Sequence, residues 1–225
     1  MNLGRAIIMT LLSAALTVLC VWVALVADTE HAIWGLVGGL FFGAGTLLAL
    51  SYIFPARIPP PDADGSTTIH KSFFRCVLMA IACAAIVVAS VIAIPQIGAM
   101  HDWRAYAFYV IPIPCAVLTV MYLLWAFGGE PAYRFDANGL TRYQWGARTI
   151  PWSDITNVRT WAHRGGRHVV VDVTSERRRS MPWWGRLGPG FGAGDLTLSS
   201  MPAGVAPDAL EALVRAYWER GAVRR

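Results

Sequence analysis

The sequence predicts a membrane α-helical protein with four transmembrane helices, followed by a mainly-β domain that one C-terminal α-helix closes. The 225 residues are 56% apolar and only 15% charged, whereas a soluble domain carries about a quarter charged residues. Long uncharged stretches fill residues 1–129, and short β-branched segments between turn signals follow them. The whole net charge of +5 lies in residues 130–225, where fourteen arginines stand against nine Asp and Glu. The chain therefore divides into a transmembrane region, 1–129, and a polar domain, 130–225.

The four spans are predicted by length and by the absence of charge. A membrane helix needs about 20 consecutive apolar residues. The uncharged stretches are residues 6–27, 32–54, 76–94 and 105–128. Arg5 ahead of the first stretch is also a feature of signal peptides. That stretch is too long for a signal peptide and leads into the next span without a small-x-small cleavage site, so we interpret it as a retained helix.

The basic residues of the connecting loops predict the orientation. Arg5, Arg57, Lys71 and Arg75 all lie on one side of the predicted bundle, and only Arg104 lies on the other. Cytoplasmic loops carry the excess of Lys and Arg. Both termini are therefore expected in the cytoplasm, in a multi-pass protein of the bacterial inner membrane.

The span cores offer packing features but no charged groups. They contain no Asp, Glu, Lys, Arg or His, and intramembrane charges are the usual mark of a transport pathway. Gly35, Gly39 and Gly43 repeat every fourth residue on one face of the second span, and such faces let helices approach closely. We favour packing within the bundle over self-association for this face. Pro112 and Pro114 predict a kink in the fourth span.

The first half of the polar domain reads as antiparallel strands with two marked turns. Asn138-Gly139 is a strong hairpin signal. Ile150 and Trp152 share one face of a later strand, and Pro151 marks a strand end because it cannot donate a ladder hydrogen bond. Ser153 and Asp154 favour a tight corner, after which further short strands follow.

The chain closes with a predicted amphipathic helix. Asp208 and Glu211 form a D-x-x-E capping pattern. One apolar stripe is formed by Leu210, Leu213, Val214 and Tyr217. Gly221 is expected to end the helix. Short strands ended by one such helix predict a small curved sheet or open barrel that the helix plugs.

Three segments of this half resemble the bacterial pleckstrin-homology-like (PH-like) membrane proteins: "FDANGL", "TIPWSDITNV" and "LTLSSMPAGVAPDALEALVRAYWERG". That family joins membrane helices to a cytoplasmic PH-like barrel, and the resemblance covers about residues 130–220. It implies that Ile150, Trp152 and Ile155 are core residues on either side of a barrel corner. The predicted hairpin carries only Arg134 and Arg142, and so departs from eukaryotic PH domains that bind phosphoinositides.

An arginine- and tryptophan-rich segment, residues 176–195, is the candidate contact for lipid or a partner. Its candidate residues are Arg177, Arg178, Arg179, Trp183, Trp184 and Arg186. An arginine near anionic lipid contributes about 1 kcal/mol, and tryptophan favours the membrane interface. The alternative is an ordinary insertion between strands. The glycines that follow precede a strand and not a helix, so no nucleotide cofactor is predicted.

The remaining residues predict no catalytic or metal site. The four cysteines all lie in apolar runs and lack zinc-type spacing. They are therefore predicted to be small buried apolar residues. His168 and Asp172 share a strand face but lack a third ligand.

We therefore expect a non-enzymatic inner-membrane protein whose cytoplasmic PH-like domain is a binding or scaffolding module at the membrane surface. Its expected partners are membrane lipids, including the anionic inner leaflet, and a protein partner or a second copy bound through the spans. Nucleic acid is not expected. The alternatives are a structural subunit of a membrane complex and a membrane-embedded transporter or enzyme.

Overall fold

The computed structural model describes residues 3–97, 110–143, 148–163, 166–181 and 195–223. The chain forms two compact units. The helical unit consists of residues 2–54 and 73–128, and the polar unit consists of residues 55–72 and 129–225. The chain therefore passes between the two units three times.

The helical unit contains four described helices. They are α1 (Leu3–Val26), α2 (Thr29–Ile53), α3 (Phe73–Ile97) and α4 (Pro112–Phe127). In the described part of the chain, three stretches are long and apolar enough to cross a membrane, Ile7–Val26, His31–Ser51 and Phe73–Ala93. These three stretches are consistent with a membrane protein.

The fourth predicted span is described only in part. Helix α4 is apolar and has 16 residues, which is shorter than a span, and residues 98–109 lie outside the described residues. Pro112 and Pro114 fall in the first turn of α4. At that position a missing N–H removes no helical hydrogen bond, so these prolines do not interrupt the described helix, and the predicted kink in the span stays a prediction.

The polar unit contains two antiparallel sheets. The first has the order β1 (Thr67–His70), β2 (Pro131–Phe135), β3 (Gly139–Arg142) and β4 (Arg148–Pro151). The second has the order β5 (Ile155–His163), β6 (Gly166–Val173) and β7 (Leu196–Leu198). The described part of the unit also contains three α-helices, α5 (Ser175–Ser180), α6 (Ser200–Ala203) and α7 (Pro207–Val223).

Strand β1 lies in a segment that the sequence analysis treats as a loop between spans. Thr67 and Ile69 are buried, and Ile69 pairs with Tyr133 of β2. The sequence-based boundary at residue 129 therefore leaves out residues 55–72, which belong by their contacts to the polar unit. The strand has only four residues after a proline-rich stretch, too few to give a clear periodic signal.

The predicted hairpin and corner are confirmed. The Asp136 carboxylate accepts hydrogen bonds from the N–H groups of Asn138 and Gly139, at 2.8 and 3.1 Å. A Cβ at Gly139 would lie 2.2 Å from the Ile150 carbonyl oxygen, so the close approach of β4 requires glycine here. A single 3-10 turn, Trp152–Asp154, then connects the first sheet to the second.

Trp152 is a core residue, as predicted. Its side chain is only 3% exposed, and its indole N–H donates to the Asp136 carbonyl at 2.8 Å. The indole stacks on the ring of Tyr217 from α7, with 6.2 Å between the ring centroids. Ile150 and Ile155 are buried on either side of the turn. The sequence "TIPWSDI" therefore builds the corner around which the core packs.

The C-terminal helix packs its predicted stripe into the core but ends later than predicted. Leu210, Val214 and Tyr217 are buried, and Leu213 is partly buried against the same core. Gly221 lies inside α7, which continues to Val223, so its prediction as a helix end is wrong. A Cβ at Gly221 would lie 2.8 Å from Cβ and Cγ of Trp152. Glycine is present because the indole packs against the helix backbone.

Candidate functional site

The arginines of the candidate contact segment begin on a short helix. The side chain of Thr174 caps α5 by accepting a hydrogen bond from the N–H of Arg177, at 3.3 Å. The three consecutive arginines therefore project from a structured turn of helix. Trp183, Trp184 and Arg186 lie outside the described residues.

Two of the three arginines make contacts within the polar unit. Arg177 donates to the Thr149 carbonyl at 2.7 Å, and its Nε lies 3.8 Å from the Asp154 carboxylate. Arg178 donates to the Asp195 carboxylate at 2.8 Å, and this hydrogen bond raises the pKa of Arg178. Arg179 is exposed to solvent. Arg179 is therefore the member of the described triplet that is placed to meet an external anion.

Asp195 connects the two ends of this segment. Its side chain is 7% exposed and accepts the N–H of Val173 at 3.0 Å, besides the guanidinium of Arg178. Because Arg178 precedes and Asp195 follows residues 182–194, their ion pair holds the ends of that stretch together.

The glycine face of α2 packs against α1. A Cβ at Gly35 would lie 2.6 Å from the backbone nitrogen of Ala24, whereas Cβ atoms at Gly39 and Gly43 would make ordinary contacts of 3.6 Å with Val21 and Thr17. The two helices thus approach most closely at Gly35.

Features of metal or catalytic sites are not assembled among the described residues. No group of three or more His, Cys, Asp or Glu there could hold a metal ion. The ring of His168 packs against that of Trp161, at 6.3 Å between centroids, whereas Asp172 pairs with Arg159 at 3.2 Å. The cysteines are free thiols.

No family model, curated protein or solved structure matches this chain. Its function is therefore inferred from its own residues and their geometry.

The sequence analysis missed the unusual position of Arg142, which it treats as a hairpin residue. Arg142 is only 6% exposed, and its Nε has no hydrogen-bond partner. It lies on the same face of β3 as the fully buried Leu140. The period-two alternation from Leu140 could have indicated that Arg142 points inward.

A second missed feature is the segment from Ser199 to Val205, which we name the connector. The N–H of Ala56 donates to the Gly204 carbonyl at 2.9 Å, and the N–H of Ser72 donates to the Pro202 carbonyl at 2.6 Å. Gly204 has φ +77, which favours glycine, and a Cβ there would lie 3.1 Å from that of Ser72. The connector therefore fixes the chain just after α2 and just before α3.

The helical unit also contains an apolar cavity of about 360 Å³. Trp34, Phe41, Ala85 and Ile111 are among its lining residues. The hydroxyl of Ser90, which also lines it, already donates to the Ile86 carbonyl at 2.8 Å. The Ser90 hydroxyl is therefore already bonded within its own helix.

Proposed function

We propose that this chain is a four-span protein of the bacterial inner membrane whose polar unit is a cytoplasmic PH-like domain, serving as a binding or scaffolding module at the membrane surface. Support for the PH-like assignment comes from the order of a four-stranded and a three-stranded antiparallel sheet. The turn at Trp152 between the two sheets and the C-terminal helix packed on the core add to it.

The pairing of β1 with β2 is the observation that carries the proposed topology. Strand β1 precedes α3 and β2 follows α4, and His70 is the register partner of Pro131. Paired residues in an antiparallel sheet lie about 5 Å apart, so the chain leaves and re-enters the polar unit at one place. If α3 crosses the membrane, the chain must cross back before Pro131, which supports a fourth span that includes α4.

The distribution of basic residues supports a cytoplasmic location of the polar unit. Arg57 and Lys71 belong to the polar unit, which also carries the excess of arginine from residues 130–225. Cytoplasmic segments next to spans carry such an excess. Helices α1 and α2 form one hairpin that returns to the polar unit, so both termini are proposed to be cytoplasmic.

A non-catalytic role is part of the proposal. It is supported by span cores without charged residues and by the use of Asp172, Asp195 and Glu211 in contacts within the polar unit. The proposed partners are anionic lipids of the inner leaflet, a protein partner or a second copy. A structural subunit of a membrane complex is the second candidate.

Topology reporters test the proposal directly. Fusions or single-cysteine labels at Asp62 and at the C-terminus should report the cytoplasm, and one at Glu30 should report the periplasm. A label at His101 should also report the periplasm if the fourth span forms. A periplasmic C-terminus would refute the proposed orientation, and cytoplasmic labelling of His101 would refute the four-span count.

Detergent extracts can separate a scaffold from an obligate subunit. In one variant, a short linker replaces residues 182–194. If the chain is a constitutive subunit, this variant and the tagged full-length protein should recover the same partner. Loss of the partner in that variant alone would favour the binding module. A variant with Arg220→Gln, which removes one charge on α7, is the matched control.

A further inference from the structure

Arg142 is a largely buried cation whose Nε lacks a hydrogen-bond partner among the residues that the structure describes. Its side chain lies at the end of β3, where Tyr133 of β2 and Arg148 of β4 are its two cross-strand neighbours. Arg142 is 6% exposed, and its Nε has no hydrogen-bond partner. Native proteins rarely leave a buried polar group unpaired, and a missing ion is one of the usual reasons.

The neighbours of Arg142 cannot supply the missing negative charge. Burial raises the pKa of Tyr133 to about 12, so the phenol is neutral at physiological pH, and its hydroxyl donates to the Ser199 carbonyl at 3.0 Å. Arg148 is exposed and carries the same sign of charge as Arg142. Burial lowers the pKa of Arg142; its interaction with Tyr133 opposes this shift, and the charge of Arg148 adds to it.

Two like charges placed directly opposite each other on a sheet destabilise it. A buried charge without a partner adds a desolvation penalty. An anion between the two guanidinium groups would remove both costs. Guanidinium groups bind phosphate through paired N–H donors, and such charge-assisted hydrogen bonds are strong.

We propose that Arg142 and Arg148 together bind the phosphate group of an anionic ligand at this end of the four-stranded sheet. This inference rests on the polar unit being a binding module, as proposed above, and gives that module a ligand chemistry. Arg142 supplies buried N–H donors, and Arg148 supplies N–H donors that the ligand can reach from solvent. A lipid headgroup and a soluble phosphate compound share this chemistry.

Hydrogen exchange of the full-length protein tests the site and distinguishes the two sources. In detergent, inorganic phosphate should slow amide exchange in residues 131–142 relative to chloride at equal ionic strength. A ligand at ten times its Kd slows exchange through the unfolded state about tenfold. In lipid nanodiscs, phosphatidylglycerol should produce the slowing relative to phosphatidylcholine if the source is a headgroup. Slowing by neither probe would overturn the proposal.

Variants assign the effect to the site. Arg142→Met should exchange no faster than the wild type in chloride, because an unpaired charge is removed, and should not respond to the anion. Arg148→Gln changes an exposed side chain and should weaken the response several-fold even if Arg142→Met fails to fold. Arg220→Gln, which removes an exposed charge on α7, should keep the full response. An undiminished response in Arg148→Gln, or an equal loss in Arg220→Gln, would overturn the proposal.

The outcome is separable from that of the proposed function. The exchange measurement in detergent does not depend on which side of a membrane the polar unit occupies. A wrong topology with an intact phosphate response would refute only the orientation, and a correct topology without a response would refute only the anion site.

Discussion

Trp152 contacts three elements of the polar unit. Its indole contacts Tyr217 and Gly221 of α7 and donates to the carbonyl of Asp136. The side chain therefore joins the C-terminal helix, the corner turn and the end of strand β2. We expect its removal to affect the whole unit and not only the corner.

Trp152→Ala should lower the free energy of unfolding of the polar unit by about 3–5 kcal/mol, the usual cost of deleting a large core aromatic. The full-length protein should be compared with the wild type by hydrogen exchange across β2 and α7. Ser153→Ala, at the exposed neighbouring position, is the control and should change little. Equal exchange in the Trp152→Ala and Ser153→Ala proteins would mean that the indole is not part of the core.

Gly221→Ala should destabilise the protein although alanine favours helix. The gain in helix propensity is about 1 kcal/mol, but the new Cβ would lie 2.8 Å from the Cβ and Cγ of Trp152. Overpacking of this kind costs about 1–3 kcal/mol. Thermal melts should show a lower midpoint, and in a Trp152→Ala background the penalty should shrink because the ring is gone. A higher midpoint in the wild-type background would show that the helix moves away without cost.

At the scale of elements, the sequence predicts what is local and misses what depends on distant partners. The hairpin at Asn138, the corner at Trp152 and the stripe of α7 are encoded by neighbouring residues, and the structure contains all three. Strand β1 is too short to be recognised without β2. The end of α7 depends on an indole almost seventy residues earlier in the chain.

The candidate contact segment shows the same limit. Its arginines are visible in the sequence, but the partners of Arg177 and Arg178 lie on other elements, at Thr149 and Asp195. Composition therefore overstates how many of these guanidinium groups are available to lipid. The inward position of Arg142 could have been inferred from strand alternation, but its lack of a partner could not.

Arg179 should contribute more to lipid contact than Arg178. In nanodiscs with acidic lipid, Arg179→Gln should reduce the protection of residues 175–181 by at most the equivalent of about 1 kcal/mol. The loss should vanish at high salt, because the screening length between exposed charges falls to about 3 Å at 1 M ionic strength. Arg178→Gln should instead increase exchange in neutral and acidic nanodiscs alike, since it breaks the pair with Asp195. Lipid-independent exchange in the wild type would leave the segment as an ordinary insertion.

At the scale of the whole molecule, the polar unit is interrupted in sequence by the segment that contains helices α3 and α4. Residues 73–128 lie between β1 and β2, which are neighbours in one sheet. The connector adds hydrogen bonds to Ala56 and Ser72, on either side of β1. Residues 55–72 are therefore an integral part of the polar unit.

A soluble protein made of residues 55–72, a short Gly/Asn linker and residues 129–225 should fold, because His70 and Pro131 are register partners that a tight turn can join. Residues 129–225 alone should be much less stable. They lack the buried side chain of Ile69. The Tyr217 hydroxyl would also lose its hydrogen-bond partners, the Thr67 hydroxyl at 2.8 Å and the Gly65 carbonyl at 2.7 Å. Denaturant titrations of the two proteins provide the measurement. Equal midpoints would show that β1 adds nothing to the unit.

The interruption also orders events during synthesis. Strand β1 leaves the ribosome some sixty residues before β2, so at about 5–20 residues per second it waits for several seconds without a partner. In the proposed topology, α3 and α4 enter the bilayer and return within that interval. A chain whose hairpin inserted wrongly would then carry β2 to the opposite side from β1 and could not close the sheet. Under the proposed topology, completion of the polar unit would therefore report correct insertion of the hairpin.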